Sequence, residues 1–144
     1  MLSRDPRNAG IAVWVHYQYG INPQRLVIDL RGIPGEKSRV DVFRVLLQCA
    51  ATQKGKGYGQ VILSSAGTPK LLIPGEYFRT LGEEYEYQNP VYTMCTFPYQ
   101  ITDLNGEPLF VQPEGGILYV LEQQLKDFAE VHDRWYVRDT VPGE

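Results

Sequence analysis

Residues 11–19 alternate in character, with Ile11, Val13, Val15, Tyr17 and Tyr19 on one side and Ala12, Trp14, His16 and Gln18 on the other. A period of two belongs to a strand, whose successive side chains point to opposite faces. Gly20-Ile21-Asn22-Pro23-Gln24 supplies turn chemistry, and Leu26, Ile28 and Leu30 then resume the alternation up to Arg31, so the two runs predict a β-hairpin. Slipping one strand by a residue would exchange its faces, so the apolar sides must coincide. Matching them places Tyr19 opposite Leu26, Tyr17 opposite Ile28 and Val15 opposite Leu30, and on the other face His16 opposite Asp29 and Trp14 opposite Arg31.

Beyond Gly32-Ile33-Pro34-Gly35 the period becomes helical. Ser38 reads as an N-cap with Asp41 as a capping-box-like partner, and Val40, Phe43, Leu46, Leu47 and Ala50 form the broad stripe of a helix packed on a sheet, expected near 38–54 and ending at Gly55. Val61-Ile62-Leu63 and Leu71-Leu72-Ile73, separated by Ala66-Gly67-Thr68-Pro69, predict a second hairpin. Phe78, Leu81 and Tyr85 predict a short helix near 76–86, interrupted by Gly82 and closed by Asn89-Pro90. Val91, Thr93, Cys95 and Phe97 alternate, so 90–101 reads as extended chain, confined to a sheet edge by Pro98. Asn105-Gly106 predicts a tight hairpin between 101–104 and 109–111. After Gly115-Gly116, the residues Leu118, Leu121, Leu125, Phe128, His132 and Trp135 recur at steps of three and four, predicting a helix near 116–136 with Glu122 and Lys126 as an exposed pair. The elements together imply an α+β fold, a mostly antiparallel sheet of two or three hairpins packed by helices.

Composition narrows the class. The chain has 144 residues, 43% apolar and 22% charged, and neither a linker nor a repeat divides it, which implies one domain over 1–144. A domain of this size buries roughly 70% of its unfolded surface and needs no covalent staple. The formal net charge of −3, without a basic cluster, argues against nucleic acid and anionic membranes as partners. Residues 1–6 carry no apolar signal core and no run is long enough to cross a membrane, so a cytoplasmic location is expected. Cys49 and Cys95 have no companions at zinc spacing, and neither a metal nor a cofactor is expected. Ten tyrosines suit core margins and interfaces alike.

The run Gly75-Glu76-Tyr77-Phe78-Arg79-Thr80-Leu81-Gly82-Glu83-Glu84-Tyr85 carries a resemblance, together with Asn89-Pro90-Val91-Tyr92, Thr96-Phe97-Pro98, Gly115-Gly116 and Asp127-Phe128. In these residues, and over roughly 26–136, the chain resembles a family of small uncharacterised bacterial proteins. The resemblance implies a bacterial cytoplasmic protein and attaches no activity or ligand.

Several residues carry candidate chemistry. His16 and Asp29 form the best acid–base candidate, because a carboxylate beside an imidazole fixes its tautomer and favours its charged form. Trp14 and Arg31 beside them suit a planar or anionic ligand. No nucleophile or oxyanion donor completes such a site, so an ordinary structural pair is favoured. Gly55-Lys56-Gly57-Tyr58-Gly59 follows a helix and precedes a strand, the reverse of a phosphate-binding loop, and reads as a helix end leading into a loop. His132 reads as a partly buried histidine with a satisfied nitrogen or one at an oligomer seam, Cys95 as a small buried thiol, and the acidic, tyrosine-rich stretch Glu83-Glu84-Tyr85-Glu86-Tyr87 as a solvated face or protein contact. The favoured expectation is a non-enzymatic binding or assembly domain, homo-oligomeric through Leu118, Leu121, Leu125, Phe128, His132 and Trp135. The rival is a small-molecule-binding protein or enzyme that uses the His16, Asp29 and Arg31 face.

Overall fold

A computed structural model describes residues 10–18, 22–33, 38–53 and 57–137. Strands β1 (Ala12–Gln18) and β2 (Asn22–Gly32) pair antiparallel, helix α1 (Arg39–Thr52) crosses over, and β3 (Gln60–Ser65) and β4 (Thr68–Pro74) form a second antiparallel pair. Because α1 intervenes, β3 returns parallel to β2, and the sheet order is β1-β2-β3-β4. Helices α2 (Gly75–Glu84), α3 (Pro90–Thr96) and α4 (Ile117–His132) follow, with a 3-10 turn at Phe97–Tyr99 and a π-helical turn at Asp133–Val137. The chain is an α+β fold with a mixed, mostly antiparallel sheet.

The expected cap of α1 is present: Asp41 N–H donates to the Ser38 hydroxyl, and Ser38 N–H donates to the Asp41 carboxylate at 2.8 Å. Leu26, Ile28 and Leu30 of β2, Val61 and Leu63 of β3, and Leu71 and Ile73 of β4 face α1 and form one core with it. Phe43 sits at its centre, with ring centroids 4.9 Å from Phe97 and 5.0 Å from Phe128. The residues of β2 from 26 to 30 are buried on both faces, the pattern of a central strand in a parallel pair. On the far face Val27, Ile62 and Leu72 make a separate small cluster.

Three expectations are corrected. The β1–β2 register is shifted by two residues, so Trp14 lies opposite Asp29, His16 opposite Val27 and Tyr17 opposite Leu26. A shift of two keeps every side chain on its predicted face, so the apolar pattern cannot distinguish the two registers. Residues 90–99 are helical rather than extended: Asn89 caps α3 by accepting from Val91 N–H at 2.8 Å, and Pro90 occupies the first turn, where its missing N–H costs nothing. The Asn105-Gly106 turn forms, with Gly106 N–H bonded to the Asp103 carbonyl at 3.0 Å and Gly106 at φ 85°. It closes no pair of full strands: the isolated bridge Thr102–Pro108 flanks it, with Asp103 N–H bonded to the Glu107 carbonyl at 2.9 Å and Leu109 N–H to the Ile101 carbonyl at 3.4 Å, and Pro108 has no N–H to extend the ladder.

Gly82 does not interrupt α2. A Cβ there would lie 2.3 Å from the Ala50 carbonyl oxygen, so the glycine lets α2 press directly on the backbone of α1. Gln48 then donates to the Tyr85 hydroxyl at 3.0 Å across the same contact.

Candidate functional site

The outer face of the first hairpin holds the predicted chemical candidates. Asp29 is buried, and both carboxylate oxygens are occupied: Oδ2 by Arg31 Nε at 2.7 Å and Oδ1 by Gly67 N–H at 3.0 Å. The Arg31 guanidinium lies 4.2 Å from the centroid of the Trp14 ring, which is itself 57% exposed. The structure thus brings together Trp14, Asp29 and Arg31 but not His16, whose Nδ1 donates to the adjacent Tyr17 carbonyl at 2.9 Å. With both carboxylate oxygens committed, Asp29 tethers the β3–β4 turn to β2. Without an imidazole beside it, the geometric basis of the acid–base reading is gone.

A groove of about 300 Å³ lies nearby, at the carboxyl ends of the parallel strands, lined by Arg31, Ile33, Ser65, Ala66, Tyr136 and neighbouring backbone. Ligands of open α/β sheets favour such a position. Among the described residues, the groove presents one cation already bound by Asp29 and no free carboxylate, imidazole or thiol.

The other candidates are structural. His132 is wholly buried against Phe43, Phe128 and Trp135, with Nδ1 sharing a 2.9 Å hydrogen bond with the Tyr136 hydroxyl. Burial, aided by the nearby Arg39 charge, pushes its pKa down to about 3, so the ring is neutral. The Cys49 thiol is buried and pushed up to about 12, and Cys95 is buried and raised for the same reason, so both stay thiols. Gly55 and Lys56 lie outside the described residues, and Gly59 N–H donates to the Gln24 carbonyl at 2.9 Å, a structural rather than an anion-binding use. Glu83 pairs with Arg79 at 3.2 Å. Among the described residues no three His, Cys, Asp or Glu side chains converge as metal ligands, and no helix is long and apolar enough to cross a membrane.

The predicted stripe of α4 divides in two. Phe128, His132 and Trp135 enter the chain's own core, with Trp135 Nε1 donating to the Ser64 carbonyl at 2.8 Å. These three residues are therefore packing groups and not interface groups. Leu118, Leu121 and Leu125 are 82%, 38% and 42% exposed.

Ile117 at 87%, Tyr119 at 58% and, in the preceding segment, Val111 at 90% join them. The first five residues of α4 are all apolar or aromatic, and they point around the whole helix circumference rather than along one side. A helix that is apolar all round belongs to a buried environment. The three-four stripe marks only one side of the helix and passes over Val111, Ile117 and Tyr119. The missed signal was the run of five apolar residues after Gly115-Gly116 without a polar position. Helix α3, which packs on α4, adds exposed Val91 and Tyr92. Compared with known proteins, the chain matches no family model, no curated protein and no solved structure, so its function has to be read from this geometry.

Proposed function

We propose that the protein is a non-enzymatic assembly domain that associates with further copies of itself through the protruding first half of α4. The observation that carries this reading is the ring of exposed apolar side chains at Ile117, Leu118, Tyr119, Leu121 and Leu125. Isolated exposed apolar residues are ordinary, whereas a contiguous apolar protrusion marks a contact surface. Fully covering an exposed apolar side chain contributes about 1.5–3 kcal/mol, and the half-covered Leu121 and Leu125 contribute correspondingly less, against which the cost of association must be set.

The charges favour self-association. Glu122, the charged residue of this half, is paired with Lys126 one turn further on at 3.3 Å, so a second copy of the helix meets a neutralised pair rather than a lone carboxylate. The enzymatic alternative has no comparable support, since His16 and Asp29 are not partners.

The test is a Leu118→Glu/Leu121→Glu double variant examined by light scattering and thermal melting. Both side chains are exposed, so the fold should persist while the mass falls. An unchanged mass would remove α4 as the association surface.

A further inference from the structure

The two edges of the sheet are built differently. Edge strand β4 carries Pro69, Lys70 and Pro74, and its middle is occupied, with Leu72 and Thr102 exchanging two backbone hydrogen bonds of 3.0 Å. Prolines, lysines and a covering segment are the usual devices that stop an edge from recruiting another strand. Edge strand β1, Ala12–Gln18, has none of them: its seven residues include no proline, lysine, arginine or carboxylate, and no described segment pairs with its outer side. Trp14, Val15 and Tyr17 are exposed along it, on both faces. Its inner face becomes more exposed along the strand: Ile11 and Val13 are partly buried on the core, whereas Val15 is 36% exposed and Tyr17, whose ring meets Tyr58 at 6.4 Å, is 38% exposed.

We infer that β1 is a second self-association surface, at which two copies join their sheets by antiparallel β1–β1 pairing about a two-fold axis at Val15. The row of unpaired N–H and C=O groups on an edge dictates an extended strand as the occupant. The sequence of β1 makes a second β1 the fitting one. A two-fold axis perpendicular to the sheet keeps each face continuous, so only residues of the same face stand opposite one another. Centred on Val15, it sets Val15 against Val15, Val13 against Tyr17 and Trp14 against His16 of the second copy. β-branched and aromatic pairs of this kind stabilise a sheet, and no like charges meet. The pairing covers Val15 and Tyr17 on the inner face and leaves both helical layers on the same side of one continuous sheet.

This surface is independent of α4, so the two can be separated. In the Leu118→Glu/Leu121→Glu background, light scattering is expected to find a dimer held by β1 alone, and adding Val15→Lys, which sets two lysines opposite each other, is expected to give a monomer that retains the wild-type circular dichroism. Val15→Cys in the same background is expected to form an intermolecular disulfide on mild oxidation. Residues directly opposite in an antiparallel pair have Cα atoms about 4.5–5.5 Å apart, within disulfide range. Cys49 and Cys95 are buried and do not compete. If Val15→Lys proves unable to fold, the cysteine cross-link decides alone. A monomer in the α4-disrupted background with no Val15→Cys cross-link overturns the inference, and protected β1 amides in that monomer would show that another segment fills the edge. A wild-type dimer that survives the α4 substitutions and is lost on Val15→Lys would instead support β1 and remove α4.

Discussion

Three residues carry tension that is visible only in three dimensions. Asp29 is a buried carboxylate whose two oxygens bind Arg31 and the backbone of Gly67, so Asp29→Ala should leave both donors without their acceptor. Leaving a buried donor unpaired costs about 1–3 kcal/mol, and because Arg31 and Gly67 are both exposed and can turn to water, the lower part of that range is expected in a denaturant titration. Ala66 holds φ at 49° and Gly67 at 85°, so the two-residue β3–β4 turn puts both central residues in the left-handed region. A side chain without local hydrogen bonding is strained there, and Ala66→Asn should stabilise the fold by up to about 1 kcal/mol, measured by the same titration. His132 sets the acid response. Its pKa falls from the ordinary 6.5 to about 3 on folding, so between these values the unfolded chain binds the proton and the folded chain does not. Stability present above pH 6.5 is therefore lost as the pH drops towards 3, by about 1.4 kcal/mol per pH unit. Melting temperature should begin to fall near pH 6.5, above the carboxylate range, and His132→Phe should flatten that slope between pH 6.5 and 5. An unaltered slope would assign the acid loss to other groups.

At the scale of elements, the sequence was most legible where a local rule acts alone. The period-two strands, the Ser38 cap and the helices expected near 38–54, 76–86 and 116–136 all rest on interactions within a few residues of chain. The failures occurred where two local rules agree with different structures. Val91, Thr93, Cys95 and Phe97 alternate as in a strand, yet Asn89-Pro90 also makes a sound helix start, and the contact of α3 with α4 goes with the helix. The β1–β2 register failed because apolar alternation repeats every two residues, while the true pairing depends on the irregularities at both ends of β1. The candidate site suffered the same limit: Trp14, Asp29 and Arg31 were identified as neighbours, but the imidazole was placed with them only through that wrong register. Gly82 is a non-local case, being required by the backbone of Ala50, more than thirty residues earlier in the chain. Gly82→Ala should force α1 and α2 apart and cost about 1–3 kcal/mol, as overpacking does, despite alanine's higher helix propensity. A stabilised variant would mean that propensity outweighs the contact.

On the scale of the whole molecule, one half of α4 completes a core and the other half projects from it. The division follows from position: Phe128 and His132 pack on Phe43 of α1 and Val131 is wholly buried, while the first turns, which follow the irregular stretch after the Asn105-Gly106 turn, carry exposed apolar side chains. The exposed apolar turns of α4 and the β1 edge, which no described segment pairs, are where the proposed self-association would take place. The most direct test of self-assembly is the mass of the wild-type protein in dilute solution, by light scattering across a range of micromolar concentrations. Self-assembly requires a mass at least twice the 16.4 kDa of one chain, falling on dilution. A constant 16.4 kDa at every concentration would contradict it.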